Sequence, residues 1–116
     1  MSSVLIVDDH PSFRASARRL LEAEGYTVVG EAGDGASALE RARELRPDLV
    51  LLDVQLPDLD GFEVASRLRA IEPALAVVLT SSRDGADFGP LVRGSGARGF
   101  VPKGELSGAA IEALLR

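Results

Sequence analysis

The sequence predicts a doubly wound α/β domain, and three observations carry that expectation. Short, continuous apolar runs end abruptly in polar residues, longer stretches between them repeat apolar residues at helical spacing, and the two patterns alternate five times along 116 residues. Strands with no polar alternation are buried on both faces, and strands separated by helices are parallel, so the helices cover both sides of one sheet. A chain of this length closes one core and is read as one domain, residues 1–116.

The first strand is Val4 to Val7, ended by Asp8-Asp9. Leu49 to Leu52, ended by Asp53, and Ala76 to Leu79, ended by Thr80-Ser81-Ser82, repeat the pattern. Val28-Val29 and Phe100-Val101, each bounded by glycine, are shorter candidates for two more strands. Phe13, Ala17, Leu20 and Leu21 share one helical face, as do Ala38, Ala42 and Leu45, then Val64, Leu68 and Ile71, and finally Ile111, Leu114 and Leu115. Asp9 or Ser12 marks the start of the first helix and Asp34-Gly35 that of the second, while Gly25 and Pro47 follow their ends. From Asp84 to Gly96 the composition is poor for a helix, with Gly85, Gly89, Pro90, Gly94 and Gly96. The fourth helix is therefore predicted to be short, opened by Pro90 in its first turn.

Composition narrows the function. The chain has 46% hydrophobic and 27% charged residues, no cysteine and a net charge of −5. That excludes a disulfide scaffold and a thiolate metal site, and a negative surface disfavours direct binding to nucleic acid. No apolar run is long enough to span a bilayer, and Met1-Ser2-Ser3 lacks the basic flank of a signal peptide, so the expected location is cytoplasmic and away from membranes. Twelve of the thirteen basic residues are arginine, and the single lysine, Lys103, follows the last strand. A lysine is a compact point charge where arginine is a broad fork, so this position suits a small anion.

In a doubly wound sheet the functional crevice lies beyond the carboxyl ends of the strands. Asp8, Asp9, Asp53 and Thr80 all fall at such ends. Taken singly, the aspartate pair reads as a helix cap, Asp53 as a solvated strand terminus, Thr80 as an ordinary β-branched strand residue and Lys103 as a surface charge. Taken together they supply what one chemistry needs. Converging carboxylates repel unless a cation neutralises them, and all-oxygen ligands select a hard ion such as Mg²⁺. A carboxylate beside such an ion can attack phosphorus, while a hydroxyl and an ammonium bind the phosphoryl oxygens. His10, next to a proline on a loop, is expected to be a polar turn residue, and Asp58 and Asp60 are expected to be solvated loop acids.

The segments Val7-Asp8-Asp9-His10-Pro11, Leu51-Leu52-Asp53-Val54-Gln55-Leu56-Pro57-Asp58-Leu59-Asp60-Gly61, Leu79-Thr80-Ser81 and Phe100-Val101-Pro102-Lys103 together resemble the receiver family of response regulators. The resemblance covers the whole chain and implies a flavodoxin-like (βα)5 fold with strand order 2-1-3-4-5. It makes Asp53 the phosphoacceptor, and Asp8, Asp9, Asp53 and the main-chain carbonyl of Gln55 the Mg²⁺ ligands. Thr80 becomes the switch hydroxyl, Lys103 the phosphate-binding lysine and Phe100 the switch aromatic. Asp-Asp-His-Pro resembles the branch that carries a LuxR-type helix-turn-helix, which implies control of transcription through a DNA-binding domain outside this chain. It implies a sensor histidine kinase as partner and allows a homodimer. Such a domain catalyses only its own phosphorylation and dephosphorylation.

The chain departs from the family in three places. Pro102 precedes Lys103 and Gly104 follows it, so the cis proline bond common after that lysine is absent; Phe100 lacks the hydroxyl of the frequent tyrosine; and the fourth helix is glycine-rich. These departures leave a second reading, a receiver-like interaction module that works without phosphorylation. A phosphohydrolase or nucleotide-binding enzyme is disfavoured, since no G-x-G-x-x-G follows the first strand, no P-loop is present, and Asp53-Val-Gln lacks the second acid of an aspartate-based phosphatase.

Overall fold

The computed structural model describes residues 2–82 and 88–116. In chain order the elements are β1 (Ser3–Val7), α1 (Pro11–Ala23), β2 (Thr27–Ala32), α2 (Gly35–Leu45), β3 (Leu49–Asp53), α3 (Gly61–Ile71), β4 (Ala76–Ser81), α4 (Gly89–Ser95), β5 (Gly99–Pro102) and α5 (Gly108–Leu115), with a 3₁₀ turn at Lys103–Glu105 between the last two. The five strands form one sheet in the order β2-β1-β3-β4-β5, and every neighbouring pair is parallel. The expected alternation and strand order are both present.

The apolar runs divide between two cores because successive strand side chains point to opposite faces. Leu5, Val7, Val50, Leu52, Val77 and Leu79 pack on one face with Ala38 and Ala42 of α2 and Val64 and Leu68 of α3. Val4, Ile6, Leu49, Leu51, Ala76 and Val78 pack on the other with Ala17 and Leu21 of α1 and Ile111 of α5. Each face of the sheet is thus sealed by helices. Ile71, read from its spacing as a core residue, is instead 40% exposed at the last position of α3.

The edge strand β2 is longer than its Val28-Val29 core suggested. Its register against β1 jumps from Val4↔Val28 to Leu5↔Gly30, so Val29 is the extra residue of a bulge and is left exposed. β4 also runs further than its apolar run, because Thr80 pairs with Asp53 and Val101, and Ser81 with Pro102. Polar residues that look like a strand terminus are therefore still inside the sheet.

Helix ends follow capping chemistry, with one correction. Asp34 caps α2 by accepting from the Ser37 N–H at 2.7 Å, and Ser107 caps α5 by accepting from Ala110 at 3.0 Å. The cap position of α1, however, is His10, not Asp9 or Ser12. No side-chain cap bond forms there, and Pro11 occupies the first turn, where its missing N–H costs nothing. α4 is as short as its glycines predict, with Pro90 in its first turn, and it stops at Gly96, whose φ is +80°. The part of the glycine-rich run that contains Asp84 and Gly85 lies outside the described residues. There is no cis peptide bond among the described residues, in keeping with the order Pro102-Lys103-Gly104.

Gly61 sits where the loop after β3 folds back on itself, its N–H donating to the Val54 carbonyl at 2.9 Å. A Cβ there would collide with the main chain of Asp53 and Val54, which cannot yield as a side chain can, whereas a Cβ on Gly94 in α4 meets nothing within 4 Å. Gly61→Ala should therefore cost about 2 kcal/mol or more. Gly94→Ala should stabilise by about 0.5 kcal/mol through helix propensity alone. Urea midpoints of the two variants should move in opposite directions, and a shared sign would refute the assignment of Gly61 to a main-chain contact.

Candidate functional site

β1, β3 and β4 are consecutive in the sheet and end at the same edge, which brings Asp8, Asp53 and Thr80 together, while Lys103 reaches in from the turn after β5. Asp8, Asp53 and Thr80 are buried, a costly position for charged groups unless each is paired. Lys103 pairs both acids: its Nζ lies 2.6 Å from Asp8 Oδ2 and 2.9 Å from Asp53 Oδ2. The same ammonium sits 4.4 Å from the centre of the Phe13 ring, so α1 holds it from the side by a cation–π contact.

Main-chain donors complete the shell. The N–H of His10 donates to Asp8 Oδ1 at 2.8 Å, and the N–H of Gln55 donates to Asp53 Oδ1 at 2.8 Å. Arg14 donates from Nη1 to the Asp8 carbonyl at 2.6 Å and from Nε to Glu31 at 3.0 Å, tying the end of β1 to α1 and β2. Thr80 lies directly opposite Asp53 in the β3–β4 ladder, and its Oγ1 is buried with no hydrogen-bond partner among the described residues. A buried hydroxyl without a partner costs free energy, and such groups mark places where a ligand supplies the missing bond.

The two buried acids titrate differently. Burial pushes both upward. For Asp8 the Lys103 ammonium and the His10 N–H outweigh burial, and its carboxyl is held below the usual carboxylate range. For Asp53 burial prevails over the Gln55 N–H and Lys103, aided by the negative charge of Asp8, and its carboxyl lies above that range. One lysine does not neutralise two carboxylates, and Asp53 carries the deficit.

Asp9 and His10 form the outer rim. His10 Nδ1 lies 3.1 Å from Asp8 Oδ1 and 3.0 Å from Asp9 Oδ1, so His10 is a member of the acidic cluster and not the bystander its loop position suggested. Ligand atoms of Asp8, Asp9, His10 and Asp53 all lie within 4.8 Å of one another, a spacing that fits one metal ion. The oxygen-rich donor set and the uncompensated charge at Asp53 both suit a hard dication.

Other residues of the loop after β3 have structural roles. Asp58, expected to be simply solvated, accepts from the N–H groups of Gly35 at 2.7 Å and Ala36 at 3.0 Å, capping α2 from across the molecule. Those two donors hold its carboxyl below its ordinary value. Asp60 accepts from Phe62 N–H at 2.6 Å and caps α3. Phe100 is partly buried, its ring centre 5.8 Å from that of Phe88, which in turn is 5.6 Å from Phe62. This aromatic row joins β5 to α4 and α3. A groove of about 990 Å³ flanked by Arg43, Arg46 and Leu75 lies at the opposite end of the sheet and shares no lining residue with the acidic cluster.

Residues 4–115 match the family model of the response regulator receiver domain. The chain belongs to the response regulator receiver family. The receiver domain is 47% identical over 105 residues to a provisionally named transcriptional regulator of Pseudomonas aeruginosa, covering 90% of this chain and 51% of that protein. It is 43% identical over 104 residues to BvgA of Bordetella pertussis, likewise provisionally named a positive transcription regulator of virulence factors, covering 90% and 50%. Its fold superposes on a LuxR-family two-component response regulator from Aurantimonas with a TM-score of 0.90 and 36% identity, over 99% of this chain and 85% of that one. The receiver domain spans about half the length of the curated relatives it matches. No helix among the described residues is long and apolar enough to cross a membrane.

The raised Asp53 carboxyl gives a signed prediction for the metal-free protein. A folded-state value above the unfolded 3.8 means that the folded protein favours the neutral acid, so the stability this group contributes is present below 3.8 and is lost as pH rises through the folded value. Asp53→Asn removes that loss. In a chelating buffer it should stabilise the domain at pH 7, with the gain shrinking as the pH falls toward 4. Denaturant titrations at several pH values check this, and a difference independent of pH would contradict it.

Proposed function

We propose that this receiver domain accepts a phosphoryl group from a sensor histidine kinase on Asp53 and that the modification changes an output surface. The observation that carries the proposal is Thr80 Oγ1, buried beside Asp53 and lacking a partner among the described residues, together with the Lys103 ammonium shared by Asp53 and Asp8. One carboxylate oxygen of Asp53 attacks the phosphorus of phosphohistidine. The P–N bond breaks, its electron pair stays on the imidazole nitrogen, which takes up a proton, and a new P–O bond leaves an acyl phosphate. Asp8, Asp9, Asp53 and the main-chain carbonyl of Gln55 are the proposed ligands of Mg²⁺. When bound, that ion supplies the positive charge that lets carboxylate and phosphoryl oxygens approach.

The remaining residues act on the incoming charge. Lys103, already between the two acids, exchanges its Asp53 contact for a phosphoryl oxygen, with the Phe13 ring beside its ammonium. Thr80 donates to a second phosphoryl oxygen, a charge-assisted bond stronger than a neutral one. By position Phe100 is the candidate for the next step. Its ring is already partly buried against Phe88, so deeper burial contributes only part of the about 2 kcal/mol that a fully exposed aromatic would gain. That fraction is enough to shift a two-state equilibrium severalfold. In a longer protein the switch would act on transcription through a DNA-binding segment outside this chain, which the names and lengths of the relatives support.

Intact mass after incubation with Mg²⁺ and a small acyl-phosphate donor should show one phosphoryl group, labile in alkali and absent in Asp53→Asn. Full labelling of that variant would remove Asp53 from its role, and no labelling of the parent would favour the phosphorylation-independent interaction module.

The path of the signal has its own test. Amide exchange over residues 88–102 should change when a beryllofluoride mimic is added to the parent and should not change in Thr80→Ala. Identical exchange in all four samples would disconnect Thr80 from Phe100 and α4, even with Asp53 phosphorylated.

A further inference from the structure

We infer that Phe13 is a positioning residue for the proposed phosphoryl transfer: the face of its ring holds the Lys103 ammonium in place for the incoming phosphoryl group, and it does so by attracting the cation, not by filling space. The inference rests on the reading of Asp53 as phosphoacceptor and Lys103 as phosphate ligand, and it adds a residue outside that set.

The first support is the surroundings of the ammonium. A lysine ammonium has three donors and no acceptor. Here Nζ lies 2.6 Å from Asp8 Oδ2 and 2.9 Å from Asp53 Oδ2, and it sits over the Phe13 ring, 4.4 Å from the ring centre. The Lys103 side chain is only 16% exposed, so little water reaches the ammonium. A cation–π contact gains strength as the cation is desolvated, and this one is at the favourable end of that range.

The second support is an asymmetry in what holds the two residues. Phe13 lies in the first turn of α1, between Pro11 and Arg14, whose Nη1 donates to the Asp8 carbonyl at 2.6 Å. It packs against the core cluster that contains Ile6, Ala17 and Leu21. Lys103 carries its charge on a flexible four-carbon stem. The chain around the lysine offers little support: it opens a three-residue 3₁₀ turn with no side-chain cap, and a Cβ on the following Gly104 would meet nothing within 4 Å. The ring is the anchored partner and the ammonium the movable one.

The chemistry explains why a ring suits this place. In transfer from an acyl phosphate, an Asp53 carboxylate oxygen attacks phosphorus, the P–O bond to the acyl group breaks, and its electron pair leaves with the carboxylate product. The ammonium has to turn from Asp53 to a phosphoryl oxygen while staying at the edge of the site. A third carboxylate would hold it but would also cancel its charge and repel the phosphoryl group. An aromatic face attracts the cation through its quadrupole and carries no net charge, so the full positive charge stays available to the phosphoryl oxygen. Helical spacing alone gives Phe13 a plainer role, a core residue in line with Ala17, Leu20 and Leu21. The two roles differ in one respect: a core residue acts through its volume, and a cation partner through its electrons.

Fluorination separates them, since each fluorine withdraws electron density from the ring face with little change of shape. The chain has four phenylalanines, so position 13 is replaced site-specifically by mono-, di- and trifluorinated phenylalanine, with Phe13→Leu alongside. Labelling in Mg²⁺ and acyl phosphate, followed by intact mass, should slow stepwise along the series and reach about fivefold for the trifluorinated ring, while the urea midpoints stay together. Because Lys103 is the only lysine, protein isotope-labelled at the lysine Cε gives one methylene signal in an NMR spectrum. In the metal-free parent that signal should be shifted upfield by the ring current, and in Phe13→Leu it should return to the position of a free lysine side chain. A labelled parent whose rate is constant across the fluorinated series would overturn the role of Phe13, as would an unshifted lysine signal. An unlabelled parent would remove the phosphoacceptor reading itself, and this role with it.

Discussion

Two buried carboxylates facing a single ammonium are the constraint on which the rest of this structure turns. Asp8 and Asp53 sit inside the protein at the ends of adjacent strands, and Lys103 is within ion-pair distance of both. A pair of like charges in that setting is tolerable only with exact placement of donors around it. The strand order supplies that placement. β1 lies beside β3, β3 beside β4, and the turn after β5 swings the lysine across the edge. Arg14 on the Asp8 carbonyl and Phe13 under the lysine tie the same edge to α1. Two carboxylates against one ammonium leave a net negative charge at this edge, the feature on which the proposed cation and phosphoryl chemistry rests.

The sequence made the central part of this arrangement legible because burial of a parallel sheet writes itself as continuous apolar runs. Leu49 to Leu52 and Ala76 to Leu79 read as buried strands, and in a parallel sheet the residues that end them fall at one edge. The elements that were harder to see depend on contacts between residues far apart in the chain. The bulge at Val29 is a matter of register against Val4 and Leu5, which no local pattern encodes. Asp58 looks like any loop acid until the fold brings it to the first N–H groups of α2. His10 reads as a turn residue because the order His-Pro predicts a turn, and the turn is there; what is invisible is that the turn aims the ring at Asp8 and Asp9. The row Phe62-Phe88-Phe100 likewise joins three elements that share no periodicity.

The departures from the family pattern acquire physical meaning in the same frame. Lys103 reaches its carboxylates without a cis proline after it, carried by a 3₁₀ turn that follows Pro102 directly. Phe100 has no hydroxyl to satisfy, so its packing against Phe88 can change without breaking a hydrogen bond. α4 is only seven residues long and ends at a left-handed glycine, which leaves it with fewer contacts to lose than a longer helix would have.

The central claim is that Asp53, the acid carrying the charge deficit, is the one that takes the phosphoryl group. Borohydride reduction after labelling with a phosphodonor reports it most directly, because it converts an aspartyl phosphate to homoserine that peptide mass spectrometry can place in the chain. The account predicts homoserine at position 53 and nowhere else. Homoserine at position 8 or 9, or a stable phosphate on Thr80 with none at position 53, would contradict it.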